Sequence, residues 1–156
     1  IMNNQNQKPS PYLKFSIMML VSFMMMYGIM FLNVAEIDHI LLSTTRTYMS
    51  LLMVAPMAIS MMLFMWGMYE NKRLNTVIIS GAAIVFIVVL TALRTQTPIK
   101  DVQYMKAMIP HHSSAIMVSE NATFEDPETA ELAKQIIEAQ EKEIAQMKRI
   151  IERLEK

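Results

Sequence analysis

Three apolar stretches without Lys, Arg, Asp or Glu follow one another along the first part of the chain, separated by short polar segments. They cover residues 15–35, 47–69 and 74–93. Each has about the 20 residues that a helix needs to cross roughly 30 Å of hydrocarbon. Because lipid offers the backbone no hydrogen-bond partners, an isolated span has to be a helix. We therefore predict a membrane domain of three transmembrane helices over residues 15–94.

After these spans the pattern becomes that of two amphipathic helices. Pro98 lacks an amide donor and disfavours helix in the residue before it, so it should end the third span. A helix is predicted from about residue 99 to 121, with a kink at Pro110. Asp126 is a suitable N-cap and Pro127 suits the first turn of a second helix. Residues 99–156 are thus predicted to form a helical hairpin.

Each helix of the predicted hairpin has a seam along one face. In the second helix it repeats at spacings of four and three, through Ala133, Ile137, Gln140, Ile144, Met147, Ile151 and Leu154. In the first helix the matching positions are Asp101, Met105, Met108, His112 and Ala115 or Ile116. A hairpin of about 56 residues is too small to bury a core alone, so it should pair with a second copy or dock on neighbouring helices. The predicted fold class is all-α, and a homodimer forming a four-helix bundle is the simplest pairing.

Basic residues in short loops give the predicted orientation. Lys8 and Lys14 precede the first span, and Lys72 and Arg73 lie between the second and the third. The amino-terminal segment, residues 1–14, and the second loop should be cytoplasmic, with the first loop and the hairpin outside. The first span is longer than a typical signal-peptide core and no small-x-small cleavage site follows it, so we expect a retained anchor. The predicted location is a bacterial inner membrane.

Composition narrows the function. The chain is 53% hydrophobic, has zero formal net charge and contains no cysteine. Interspersed charges that sum to zero give no support to nucleic-acid binding. No nucleophile–base pair, glycine-rich phosphate loop or carboxylate pair stands out, so we expect no catalytic residues and no enzyme. Absence of cysteine is compatible with an oxidising exterior.

The segment "MIPHHSSAIM" contains the candidate chemistry. On a helix Met108 and His112 are four residues apart and share a face, while His111 lies beside them. Thioether and imidazole together suit Cu(I), whereas zinc more usually recruits thiolate or carboxylate along with histidine. The alternative is that the histidines are solvated or hydrogen-bonded and the methionines fill a core.

The hairpin also resembles a known family. Its signature has an acidic residue, an aromatic, Met-x-x-His-His, a further Met, and Glu-Ile-x-x-Met near the end; the matching residues are Asp101, Tyr104, Met108, His111, His112, Met117, Glu143, Ile144 and Met147. Over residues 99–154 the chain is similar to domain of unknown function 305. The resemblance implies a ferritin-like helical fold and a metal role, since some members are similar to periplasmic copper-binding proteins. It implies Met108, His111, His112, Met117 and Met147 as ligands, and the seam adds Met105.

Met147 raises a question of register. If the hairpin pivots near Phe124, Met147 lies opposite Val102 and nearest Met105, not level with His112. Joining Met147 to the histidines then requires a kink, a register shift or a second protomer.

Two further patterns have a functional and a structural interpretation. Fourteen of the 18 methionines lie at or before Met68, and in the second span Met49, Met53, Met57, Met61 and Met65 recur every four residues. They could guide Cu(I), or simply pack as adaptable apolar side chains. In the first loop, Asp38 or His39, beside Glu36, could meet a metal or orient a ligand, or the loop could be hydrated.

We expect a membrane-anchored metal-binding protein that binds copper, with Cu(I) favoured over Cu(II), and that sequesters the ions or hands them on at the outer face. Expected partners are the lipid bilayer, further copies of the chain and a metal donor or acceptor protein. The alternatives are a structural protein that oligomerises through the hairpin and, with less support, a metal transporter. No intramembrane charged residue marks a transport pathway.

Overall fold

The computed structural model describes residues 10–156, and this part of the chain is helical without strands. Five α-helices follow in order: α1 (Pro11–Ile29), α2 (Thr44–Phe64), α3 (Lys72–Thr95), α4 (Asp101–Asn121) and α5 (Pro127–Leu154). One 3-10 turn, Ile37–His39, lies in the loop between α1 and α2. The predicted all-α fold is confirmed for these residues. Residues 1–9 of the predicted amino-terminal segment lie outside them.

Helices α1, α2 and α3 are long and apolar enough to cross a membrane, as predicted and consistent with a membrane protein. Most of their large apolar side chains remain exposed in the chain itself, for example Leu20, Leu63 and Ile84. An apolar surface of this extent is unfavourable in water and is expected where lipid is the solvent. The three helices pack mainly through α2, which contacts both α1 and α3.

The first two helices do not end where the apolar stretches end. Helix α1 stops at Ile29, six residues before the predicted boundary. The Arg46 guanidinium donates a hydrogen bond to the Met30 carbonyl and lies 4.3 Å from the centroid of the Phe31 ring. The last carbonyls of a helix need partners outside the helix, and Arg46 supplies one of them. Helix α2 begins three residues earlier than predicted because the Ser43 side chain caps it.

The two ends of the helical bundle differ. At one end the Tyr12 hydroxyl donates to Asn75 Oδ1 at 2.9 Å, and the Asn75 amide donates to the Tyr69 carbonyl at 3.2 Å. These bonds join the start of α1 to the loop between α2 and α3. The hairpin of α4 and α5 lies at the other end, beside the loop between α1 and α2. The start of α1 and the loop between α2 and α3 therefore lie at one end of the bundle. The side of the membrane that each end faces stays a prediction.

The hairpin docks on the rest of the chain. Helix α4 packs along α5 and also contacts α2 and the turn Ile37–His39. The Thr44 amide donates to Gln103 Oε1 at 3.0 Å, and the Asn33 side-chain amide donates to Ser114 Oγ at 2.7 Å. Within one chain the hairpin thus contacts α2 and the turn Ile37–His39, and its pairing with a second copy stays a prediction.

Contact on two sides rotates the buried face of α4 away from the predicted seam. The buried residues are Met105, Ile109, Pro110, Ser113 and Ile116. Asp101, which was predicted in the seam, is exposed. Met108 and His112 are half-buried and lie at the edge of the buried face. The physical reason is that α4 faces both α5 and the loop between α1 and α2, residues 30–43, which we call the outer loop after its predicted position. The most buried line of α4 lies between these two neighbours. The seam of α5 agrees better, with Ala133 and Ile144 buried, although Leu154 is exposed.

The regularly spaced methionines of α2 do not share one environment. Met49 and Met53 are exposed, whereas Met61 and Met65 pack against the buried cluster formed by Phe15, Ala58, Met62 and Tyr69. A spacing of four drifts by about 40° per step around a helix of 3.6 residues per turn. The series therefore winds from the apolar surface into the packed interior.

Candidate metal centre

A cavity of about 460 Å³ lies between α4 and α5. Four of the six predicted ligands line it: Met105, Met108, His112 and Met147. Asp101, Tyr104 and Glu143 belong to the same lining. The helices thus bring three thioethers and one imidazole to a single cavity with two carboxylates, a set that could hold a soft cation.

The hairpin register explains how Met147 reaches this cavity. His112 Nδ1 lies 3.0 Å from Glu143 Oε2. A pairing of these residues sets Met108 level with Met147, because Met108 lies about one turn before His112 in α4 and Met147 about one turn after Glu143 in α5. The register differs from the one expected from a pivot at Phe124. Side chains on a helix tilt towards its amino terminus, so on two antiparallel helices they tilt in opposite directions. Side chains that touch across the hairpin therefore belong to residues nearer the carboxyl end of each helix than the residues whose backbones lie level.

The environment of His112 favours the neutral imidazole. Burial lowers the pKa of His112, an effect that the Glu143 carboxylate and Gln140 oppose and the neighbouring His111 reinforces. Although Nδ1 is 3.0 Å from the Glu143 carboxylate, the direction is wrong for a hydrogen bond, and this buried nitrogen has no hydrogen-bond partner among the described residues. A neutral imidazole with an unused nitrogen is the form that binds a metal.

The lowered pKa of His112 predicts a pH effect on stability. Below its ordinary pKa of about 6.5, the unfolded chain takes up a proton that the folded chain refuses until its own lower pKa is reached. The free energy of unfolding should therefore fall as the pH drops through this window and level off below it. Thermal unfolding of the metal-free protein from about pH 7.5 to 5 measures this effect. His112→Gln is the matched control, and identical pH profiles for both proteins would contradict the prediction.

His111 points to a different place. It lines a second cavity, of about 590 Å³, together with Met30, Arg46 and Met49 where α1 ends and α2 begins. The ring centroids of His111 and His112 are 6.2 Å apart, with their planes at 68°. The two adjacent histidines thus line different cavities, and the Met108 thioether lines both.

Met117, the remaining predicted ligand, is not brought to either cavity. It is half-buried on α4, nine residues from Met108, a separation that places it on roughly the opposite face of the helix. Asp101, predicted in the seam, and Glu143 were not predicted as ligands, although both line the first cavity. Their signal was present as part of the family signature, but their proximity to the thioethers follows only from the hairpin register.

The outer loop contains a third cluster. Single ligand atoms of Glu36, Asp38 and His39 all lie within 4.8 Å of one another. His39 is buried and its Nδ1 is 2.8 Å from Ser113 Oγ on α4. A hydrogen bond from Lys148 on α5 lowers the pKa of Asp38. The loop is therefore fixed to both helices of the hairpin and is not simply hydrated.

The hairpin and the end of α3 match a known sequence family. Residues 88–151 match the family described as Domain of unknown function (DUF305), which confirms the resemblance in the Met-x-x-His-His segment. Over 143 residues the chain is 36% identical to Uncharacterized protein L153 of Acanthamoeba polyphaga mimivirus, covering 87% of this chain and 90% of the relative. The chain therefore belongs to the family of this viral protein and carries a DUF305 domain. No solved structure matches the chain.

The similarity to the viral protein extends beyond the DUF305 domain. Its 143 aligned residues exceed the matched range 88–151, so it includes much of the membrane helices. Since that relative is viral, a bacterial inner membrane stays a prediction.

Proposed function

We propose that the protein is a membrane-anchored metal-binding protein that holds Cu(I) in the cavity between α4 and α5. The observation that carries the proposal is the convergence there of Met105, Met108 and Met147 with His112, whose buried Nδ1 lacks a hydrogen-bond partner among the described residues. Thioethers are soft ligands that favour Cu(I), and imidazole binds copper readily. Among the charged groups that line the cavity, the Asp101 and Glu143 carboxylates favour a bound cation, whereas the Arg153 guanidinium opposes it.

The second cavity supports handover as well as storage. Met108 lines both cavities, and the second one contains His111 with Met30 and Met49. A cation that leaves His112 would therefore find further soft ligands without leaving Met108. We assign sequestration to the first cavity and exchange with a donor or acceptor protein to the second, with both on the outer side of the membrane.

Methionine substitutions test the first cavity. Met108→Leu and Met147→Leu remove a thioether while keeping an apolar side chain of similar volume. We expect each substitution to weaken Cu(I) binding about tenfold, because other soft ligands remain in the cavity. About tenfold is the lower end of the loss in affinity seen when a residue that supports a metal ligand is removed. Anaerobic titration of the full chain in detergent micelles against a competing Cu(I) chelator gives the affinity.

Met117→Leu is the matched control for the methionine series. It makes the same chemical change on the same helix outside both cavities, so its affinity should equal that of the unmodified protein. Equal losses in Met117→Leu and Met108→Leu, or no loss in any variant, would overturn the assignment of the cavity.

Assembly of several copies is a second candidate function, and exposed apolar side chains favour it. Tyr104 and Leu154 lie at the first cavity, and Val118 and Leu132 lie near the tip of the hairpin; all four are exposed. A homodimer in which two hairpins form a ferritin-like four-helix bundle would cover them. If assembly is the main role, the oligomer measured by light scattering should persist while no variant of the Met/His cavity changes any metal affinity.

A further inference from the structure

The turn between α1 and α2 holds a cluster of ligand atoms whose chemistry differs from that of the methionine cavity. His39 Nε2 lies 3.7 Å from Glu36 Oε2 and 3.7 Å from Asp38 Oδ1. Both distances are too long for a hydrogen bond. The two carboxylates are largely exposed, whereas only 6% of the His39 side chain is exposed. A buried imidazole thus directs one nitrogen towards two acidic oxygens without bonding to either.

The other nitrogen of His39 is held in place by α4. Nδ1 lies 2.8 Å from Ser113 Oγ, and the same oxygen accepts a hydrogen bond from the Ala35 amide at 2.8 Å. A serine hydroxyl oxygen has two acceptor lone pairs, so it can accept from Nδ1–H and from Ala35 together. In that tautomer Nε2 has a free lone pair. An outer hydrogen bond that fixes the ring and frees the opposite nitrogen is the usual support of a metal-binding histidine.

The distances from His39 Nε2 to the two carboxylate oxygens are slightly longer than the distances between neighbouring ligands of a bound metal ion. Around an ion with ligand bonds of about 2.0–2.2 Å, neighbouring ligand atoms lie about 3–3.5 Å apart. The two distances from His39 Nε2 are 3.7 Å each, a few tenths of an ångström above this range, and all three ligand atoms lie within 4.8 Å of one another. The two carboxylates belong to exposed side chains, which can move to close the remaining distance. Two carboxylate oxygens and one imidazole nitrogen form a harder ligand set than thioethers and suit divalent ions of the zinc type.

We propose that Glu36, Asp38 and His39 bind a divalent transition-metal ion of the zinc type, at a site separate from the methionine cavity. Three protein ligands leave a position for water. Asp38 would use Oδ1, because its other oxygen, Oδ2, accepts a hydrogen bond from Lys148 Nζ at 2.6 Å. With Ser113 on α4 and Lys148 on α5, the bound ion would fix the outer loop to both helices of the hairpin.

The test uses Zn(II) and the full chain in detergent micelles. His111→Ala/His112→Ala serves as the background, so that the imidazoles of the other cavities cannot contribute. Competition with a chromophoric chelator should show one tight Zn(II) per chain. Glu36→Gln/Asp38→Asn keeps the size of both exposed side chains and should weaken this binding by at least about tenfold, since two of three protein ligands lose their charge.

A matched control comes from the same part of the surface. Glu120 and Glu141 line the cavity beside His39 but lie outside the three-residue cluster. Glu120→Gln/Glu141→Gln removes the same total charge and should leave the affinity for Zn(II) within about twofold. X-ray absorption of the Zn(II)-loaded background protein should show only nitrogen and oxygen neighbours, with one imidazole.

Three results would overturn the proposal. They are no tight Zn(II) in the background protein, equal losses in the two double variants, or a sulfur neighbour in the absorption spectrum. Because the background lacks His111 and His112, the outcome is independent of the proposed Cu(I) site. Circular dichroism of each variant verifies that the helices are intact.

Discussion

Replacing His112 by alanine is expected to weaken Cu(I) binding about 100-fold. Loss of a residue that only hydrogen-bonds to a metal ligand costs about 10–100-fold in affinity, and loss of a ligand itself should reach the upper end of that range. His112 is the only imidazole among the residues that line the cavity between α4 and α5. Its Nδ1 is buried without a hydrogen-bond partner among the described residues and lies 3.0 Å from the Glu143 carboxylate, whose negative charge also favours a cation bound there. Anaerobic Cu(I) titration of the full chain against a competing chelator measures the change.

His111→Ala is the control that the structure supplies. It removes the same side chain one position away, but His111 lines the second cavity with Met30 and Met49. We expect His111→Ala to change the equilibrium affinity for Cu(I) in the cavity between α4 and α5 by less than about threefold, because substitutions at sites that share no partner act nearly independently. If it slows transfer of Cu(I) to a chelator while leaving affinity intact, the second cavity acts in exchange.

Either of two results would count against the Cu(I) site. Equal losses in the two single variants would mean that the histidines act together, contrary to their separate cavities. Binding that is weak in the unmodified protein and unchanged in both variants would favour assembly as the main role. The oligomeric state measured on the same samples then becomes the informative quantity.

Patterns that depend on one element alone could be predicted from the sequence. The three apolar helices follow from the length of the uncharged stretches. The start of α5 follows from Asp126, whose carboxylate accepts from the Thr129 amide at 2.7 Å. Both depend on local chemistry, which a single segment contains in full. The DUF305 signature is also local to each helix of the hairpin, and its match was confirmed.

Features that depend on two elements were not predictable in the same way. The end of α1 at Ile29 results from Arg46, which lies 16 residues from Met30. The burial of Ser113 results from two partners in the outer loop, Ala35 and His39. No periodicity in α4 signals either contact, because a serine in a helix is ordinarily solvated or bonded to its own helix.

The candidate site shows the same division. Helical spacing placed Met108 and His112 on one face, and both line the first cavity. Spacing alone could not assign His111 and His112 to different cavities. Adjacent positions on a helix differ in direction by about 100°, and the element that lies in each direction is known only from the fold. The neighbours are α5 for His112 and the membrane helices for His111.

Ile109→Ala is expected to give the largest loss of stability, about 2–5 kcal/mol, as for other large-to-small changes at fully buried aliphatic positions. Ile109 has no exposed surface. It belongs to the cluster with Ile116 and Ile144, against which Leu41 of the outer loop also packs. The change would therefore leave a cavity where α4, α5 and the loop meet. Chemical unfolding followed by circular dichroism in detergent micelles measures the free energy.

Two further variants distinguish a packing defect from a general loss of apolar surface. Ile109→Val removes one methylene and should cost about 0.5–1.5 kcal/mol, whereas Val118→Ala on the exposed side of α4 should stay within about 0.5 kcal/mol. Since the cluster also sets the register that brings Met147 to His112, Ile109→Ala should weaken Cu(I) binding as well. A cost for Ile109→Ala no greater than that of Val118→Ala would mean that the hairpin is held by contacts other than this cluster.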